Sequence, residues 1–177
     1  MKKLFLLAAI PMLTLIGCRA DPKPPLPDYT GTEIKLTPEN STLTEDASTS
    51  ATVVELEIPN SNETYSVEIS SGCRWKTTSG GYKEILLSPG SYIKSISTLT
   101  VARLQMDIFG RQGINYDVYA NNQFQGDPLE EHLTNIPATE PNDYGQVFEY
   151  AVHANGWSIK NNTEYNKPCF YYITIIL

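Results

Sequence analysis

An all-β fold, an antiparallel β-sandwich with at most one or two short helices, is predicted by three observations. Short runs of alternating apolar and polar residues recur along the chain. Turn residues separate them at short intervals, and no stretch longer than a turn or two places its apolar residues at helical spacing. At 177 residues the chain is sized for one domain, or one domain with a tail.

The first segment is not part of the sandwich. Lys2 and Lys3 precede an apolar stretch from Leu4 to Leu15, interrupted by Pro11 and followed by Ile16-Gly17-Cys18. It falls short of the roughly 20 apolar residues that span a bilayer, so residues 1–17 read as a removable signal peptide. Its end, Leu15-Ile16-Gly17-Cys18, resembles the lipobox of bacterial lipoproteins: an aliphatic residue, two more of which the second is small, then Cys. The resemblance implies a diacylglycerol on the Cys18 sulfur and cleavage after Gly17 by signal peptidase II. The membrane then becomes a partner through the acyl chains, each buried CH₂ contributing about 0.8 kcal/mol. The lysines leave with the signal, so 11 basic face 20 acidic side chains, and charge does not hold the domain to anionic lipid.

Residues 18–50 read as a tether. Four prolines between Pro22 and Pro27 favour extended polyproline conformation, a semi-rigid spacer of about 3.1 Å per residue. Thr37 to Ser50 is rich in Ser, Thr, Asn and Glu, with room for a short edge strand at Glu33–Leu36. The sandwich is expected over residues 51–177.

Within it, Val54, Leu56 and Ile58 alternate with Glu55 and Glu57; Tyr65, Val67 and Ile69 with Ser66 and Glu68; Leu104, Met106 and Ile108 with Gln105 and Asp107. Each pattern puts apolar residues on one face of a strand and polar ones in water. Phe148, Tyr150 and Val152 form another such run, and the nearly continuous apolar stretch Phe170–Leu177 suits a central strand covered on both faces. Pro59-Asn60-Ser61-Asn62, Ser79-Gly80-Gly81, Pro89-Gly90 and Asn155-Gly156 supply turns. Asp127-Pro128-Leu129-Glu130 places Asp at an N-cap, Pro at the first helical position and Glu three residues after the cap, which predicts a short helix through Leu133.

The run Gly110-Arg111-Gln112-Gly113-Ile114-Asn115-Tyr116-Asp117-Val118-Tyr119, with the terminal Phe170 to Ile175, resembles the strand order of galactose-binding-like jelly rolls common in carbohydrate-binding modules. Pro89-Gly90-Ser91-Tyr92 equally resembles the strand entry of transthyretin-like or pilin-like β domains. Lipobox, Pro-rich tether and a Tyr- and Asn-rich β domain together are similar to outer-membrane lipoproteins of Bacteroidetes-type bacteria. This implies a lipid-anchored outer-membrane location, with the periplasmic or surface face open.

A net charge of −7 argues against a nucleic-acid partner. His132 and His153 are the only histidines and read as solvated surface residues; no nucleophile elbow, zinc-protease helix, phosphate loop or C-x-x-C occurs, so no enzyme activity is expected. Asp127, Glu130, Asn142 and Asp143 offer hard oxygen ligands, but capping and a turn account for them, and no metal or cofactor is expected. Cys73 and Cys169 remain once Cys18 is lipidated; an oxidising envelope favours a disulfide between them, with two separate buried thiols as the alternative.

Aromatics are the better lead, with 11 Tyr, 2 Trp and 5 Phe. Trp75 and Trp157 both sit beside turns. A sugar presents an apolar C–H face ringed by hydroxyls, so Trp75 or Trp157, with Tyr82 beside them and Arg74, Asn155 or Asn161 to fix hydroxyls, forms the expected ligand site. These indoles also suit plugs at the ends of a sandwich. The chain therefore reads as a non-enzymatic, lipid-anchored binding protein for a glycan or another envelope protein. A structural or pilus-associated subunit is the alternative.

Overall fold

The computed structural model describes residues 28–109, 114–134, 145–162 and 169–177. Two six-stranded antiparallel sheets pack face to face. Sheet A contains β1 (Glu33–Leu36), β4 (Arg74–Thr77), β5 (Lys83–Leu86), β7 (Val101–Phe109), β10 (Gly145–Ala154) and β12 (Cys169–Ile176), in the order β10-β7-β12-β5-β4 with β1 also paired to β12. Sheet B contains β2 (Thr52–Glu57), β3 (Thr64–Ile69), β6 (Tyr92–Ser95), β8 (Ile114–Tyr119), β9 (Glu130–Thr134) and β11 (Ser158–Lys160), in the order β2-β3-β6-β11-β8-β9.

Alternation gives each strand its buried face: Val54, Leu56, Tyr65, Val67, Ile69, Leu104, Met106 and Ile108 all join one core between the sheets. The apolar β12 is central, with β7 along one side and β5 and then β1 along the other. A register shift between Phe170 and Tyr172 changes its phase, so that Phe170 and Ile173 both reach the core while Tyr171 and Tyr172 stay half-exposed.

Three expectations are corrected. The domain begins before Ala51: β1 is zipped to β12, and Ile34, Leu36, Ser41 and Leu43 are buried. The short helix at 127–133 is absent. Leu129 N–H donates to the Val118 carbonyl at 2.6 Å, and Glu130–Thr134 continue as β9 along β8. The capping pattern is a local signal worth about 1 kcal/mol, and a seven-residue helix is marginal, whereas the edge of β8 satisfies the same backbone groups by pairing.

Cys73 and Cys169 form no disulfide; both are buried thiols. The register explains it. Cys169 pairs with Leu86 on one side of β5, and Arg74, the neighbour of Cys73, pairs with Leu86 on the other. Two strand spacings, roughly 9–10 Å, separate them, beyond the roughly 7 Å that a disulfide bridges. Burial pushes the Cys73 thiol up.

Candidate functional site

The sequence-derived ligand residues fall in separate places. Trp157 is fully buried between the sheets; its indole N–H donates to the Tyr65 hydroxyl at 2.9 Å, which donates in turn to Ser95 Oγ at 2.9 Å. Asn161 is also buried, its Nδ2 donating to the Leu87 carbonyl at 3.0 Å while its backbone ties to Gly90 and Ser91. Both are therefore structural, because a buried indole N–H or amide needs a partner and here has one. Asn155 is exposed and accepts a hydrogen bond from Thr100 Oγ1 at 2.7 Å.

Trp75, Tyr82 and Arg74 share the β4–β5 hairpin at the edge of sheet A. Trp75 packs partly against the core, and the Lys83 ammonium lies 4.5 Å from its ring centre, so a cation already occupies an indole face. Arg74, one residue away, projects to the opposite side of the strand. Tyr82 is 60 % exposed and meets Tyr171 edge-on at 6.2 Å. The hairpin thus offers one open tyrosine pair rather than an indole platform. Of the four calcium candidates, Asp127 is exposed; the Glu130 side chain, Asn142 and Asp143 lie outside what is described.

A larger aromatic assembly lies on the outer face of sheet B. Ile93, Ile159, Tyr116 and Val118 point into the core, which turns their neighbours Tyr92, Lys160, Asp117 and Tyr119 outward. Register aligns Tyr92, Lys160 and Asp117 in one row across β6, β11 and β8, and Glu68, Lys94, Ser158 and Tyr119 in the next across β3, β6, β11 and β8.

The β8–β9 loop folds back over these rows. Asn121 braces it: its Oδ1 accepts from the Gln123 and Gln125 N–H groups, its Nδ2 donates to the Gln125 carbonyl, and its own carbonyl accepts from Ser158 Oγ at 2.8 Å. The brace holds Phe124 at φ 56°, a left-handed conformation that costs a bulky residue of order 1–2 kcal/mol. Its ring lies 4.9 Å from Tyr92 and 6.0 Å from Tyr119, with the Lys160 ammonium 5.8 Å away; Lys94 lies 5.3 Å from the Tyr92 ring. Phe124, Tyr92 and both lysines are half-exposed.

The polar groups around the rings are held. Tyr92 donates to Glu68 at 2.7 Å, and Lys94 pairs with Glu68 at 3.1 Å. The Tyr92 bond, with Lys94, keeps the Glu68 carboxyl below its usual range, and Glu68 pushes the Tyr92 hydroxyl up to about 12. Asp117 accepts from the Tyr119 hydroxyl at 3.0 Å and from Asn162 Nδ2. The product is a ring-faced surface rimmed by ammonium, amide and carboxylate groups, chemically able to meet an amphipathic ligand.

No family model matches this chain, and no curated protein does. Two solved structures from Porphyromonas gingivalis are similar to it in shape. The K3 cleaved adhesin domain of Lys-gingipain is 9% identical with a TM-score of 0.37, covering 84% of this chain and 94% of that domain. The K1 cleaved adhesin domain is 13% identical with a TM-score of 0.33, covering 82% of this chain and 95% of that domain.

A second concavity, about 580 Å³, opens where residues 28–30 enter the domain, and is lined by Tyr29, Glu63, Leu99, Thr100, His153 and Leu177 among others. His153 has φ 48° at the register irregularity between Ala151 and Ala154. Alternation alone marked it as a solvated strand residue, and it is exposed; the bulge that turns it toward this cleft has no sequence signature of that kind. Phe124 was missed for the same reason, since the sign of φ is not visible in composition. The signal that could have found it is the amide-rich loop Asn121-Asn122-Gln123-Phe124-Gln125-Gly126, which carries one aromatic and no core pattern.

Proposed function

We propose that the chain is a non-enzymatic binding protein of a bacterial cell envelope, anchored by lipid on Cys18, and that it recognises a glycan on the outer face of sheet B. The carrying observation is Phe124, held at φ 56° so that its ring joins Tyr92 and Tyr119 on a half-exposed face. Strain persists where surrounding structure enforces it, and here what it delivers is a ring surface rather than a buried contact. Sugar C–H faces stack on such rings, while Lys94 and the Asp117–Asn162 pair can meet hydroxyls.

Glycan-array screening followed by calorimetry on the first ligand found tests this. Phe124→Ala should weaken binding by about 1–3 kcal/mol, near 5- to 150-fold. Phe124→Gly should weaken it as much without lowering the melting temperature appreciably, because glycine relieves the left-handed backbone while the ring is lost. Unchanged affinity in both variants would sink the platform reading. The structural-subunit alternative draws on β2, one of the two edge strands of sheet B, where Val53 is 50 % exposed. Glu55 and Glu57 follow it on the same exposed face, and charged edge residues oppose strand addition.

A further inference from the structure

We infer that the glycan recognised on this platform is acidic, its carboxylate, sulfate or phosphate group seated on Lys160; this rests on the platform reading and specifies its ligand class. Lys160 occupies the middle of the outward row, between Tyr92 and Asp117, under Phe124. Asp117, the acidic residue in that row, is committed to the Tyr119 hydroxyl and to Asn162. Glu68, in the adjacent row, is committed to Tyr92 and Lys94. Among the described residues no carboxylate lies within ion-pairing distance of Lys160, whereas Lys94 on the same face has one.

The consequence is a half-exposed cation beside aromatic rings whose neighbouring carboxylates bond to other groups, Asp117 through one oxygen to Tyr119 and Asn162 and Glu68 to Tyr92 and Lys94. On a protein of net charge −7, this arrangement stands out against the general field. An ammonium partly shielded by rings interacts more strongly with an anion than one in bulk water, because local dielectric is lower. A pyranose stacked on Phe124 and Tyr92 brings an acidic ring substituent over Lys160, so that stacking and charge pairing act on the same sugar unit. A neutral sugar gains only the stacking.

The test titrates the full-length protein in detergent micelles with an oligogalacturonate, a sulfated galactan oligosaccharide and a neutral galactan oligosaccharide of equal length. At about 50 mM salt at least one acidic ligand should bind roughly 5- to 30-fold more tightly than the neutral one, and raising salt to about 0.5 M should erase most of the difference. Lys160→Gln should abolish the preference while leaving neutral binding within about twofold, and Lys160→Arg should restore it. Tighter binding of galacturonate alone assigns a carboxylate to the subsite, and of the sulfated ligand alone an ester. Equal binding of neutral and acidic ligands, or a preference that survives Lys160→Gln, overturns the inference and leaves the platform standing. No binding by any of the three, with Phe124→Ala equally silent on the array, overturns the platform reading and the inference together.

Discussion

On the outer face of sheet A, charged side chains answer one another across strands. Lys76 meets Glu84 at 2.8 Å, Arg103 meets Glu149 at 3.8 Å, and Gln105 donates to Glu149 at 2.9 Å. On the outer face of sheet B, hydroxyl and amide donors from tyrosines and an asparagine take up much of the carboxylate capacity, and a lysine is left among rings. The loop after β8 makes the difference. It returns across sheet B and lays a strained aromatic on the strands, whereas the β4–β5 turn on sheet A closes tightly, with Thr78 N–H donating to the Tyr82 carbonyl at 2.7 Å and Gly81 N–H to the Thr78 carbonyl. Sheet A also sets lysines on rings, Lys83 on Trp75 and Lys35 on Tyr172, but the ring beside Lys160 is itself packed against two others, and such a cluster can discriminate between ligands.

The largest effect expected on this contrast comes from its boundary, the core beneath sheet B. Trp157→Ala should cost about 3–5 kcal/mol, removing a buried indole and leaving the Tyr65 hydroxyl short of a donor. Thermal or denaturant unfolding measures it, and a melting temperature within 2 °C of wild type, taken roughly, would contradict a core role.

The two tryptophans also show how much was legible. Alternation is local, so Val54, Leu56, Ile58, Tyr65, Val67 and Ile69 announced their strands and their buried faces. Both indoles sit beside turns and looked equivalent, because which turn residue folds inward depends on packing between sheets and not on neighbours in sequence. The same holds for the thiols: compartment chemistry favoured a bridge, and one intervening strand set them apart. Asp127 and Glu130 carried a genuine capping pattern that the exposed edge of β8 outcompeted. At the platform, Tyr92 was visible as a strand entry, but its meeting with Phe124 needed the backbone conformation of one loop residue.

Charge deletion should next separate the two faces. Lys76→Met removes the ammonium that the fully buried Glu84 meets at 2.8 Å and should destabilise by about 1–3 kcal/mol, less than a fully buried pair because Lys76 retains some exposure. Lys160→Met, which breaks no ion pair among the described residues, should stay within about 0.5 kcal/mol of wild type. Chemical denaturation of both variants gives the comparison directly. Equal losses would erase the distinction drawn between the faces.

The smallest effect concerns protons. Glu68 is held below its ordinary range, so its contribution is complete above about pH 4.5 and fades as pH falls through the depressed value. Tyr92 is raised from 10 to about 12, so its contribution is complete below about pH 10 and is lost as pH climbs toward 12. An ultraviolet titration of tyrosinate should show late ionisation of Tyr92 beside the raised Tyr65 and Tyr172, and the difference between wild type and Tyr92→Phe isolates its share. A difference titration centred at 10 would mean that the Tyr92–Glu68 bond does not hold in solution.

The pairing of β1 with β12 bears on mechanics. Beyond the local turn at Tyr29, backbone bonds tie Gly31 and Thr32 to Leu177, at 2.6 and 3.0 Å, and the four residues of β1 follow, with Ile34 and Leu36 sunk in the core. On the proposed lipid anchor, tension on the N-terminus enters through sheet A, at the four-residue pairing of β1 with β12. Under load β1 is the element that yields first, drawing two aliphatic side chains out of the interior and lengthening the connection by several residues. Sheet B, with its own strand order and its rings, takes no part in that pairing.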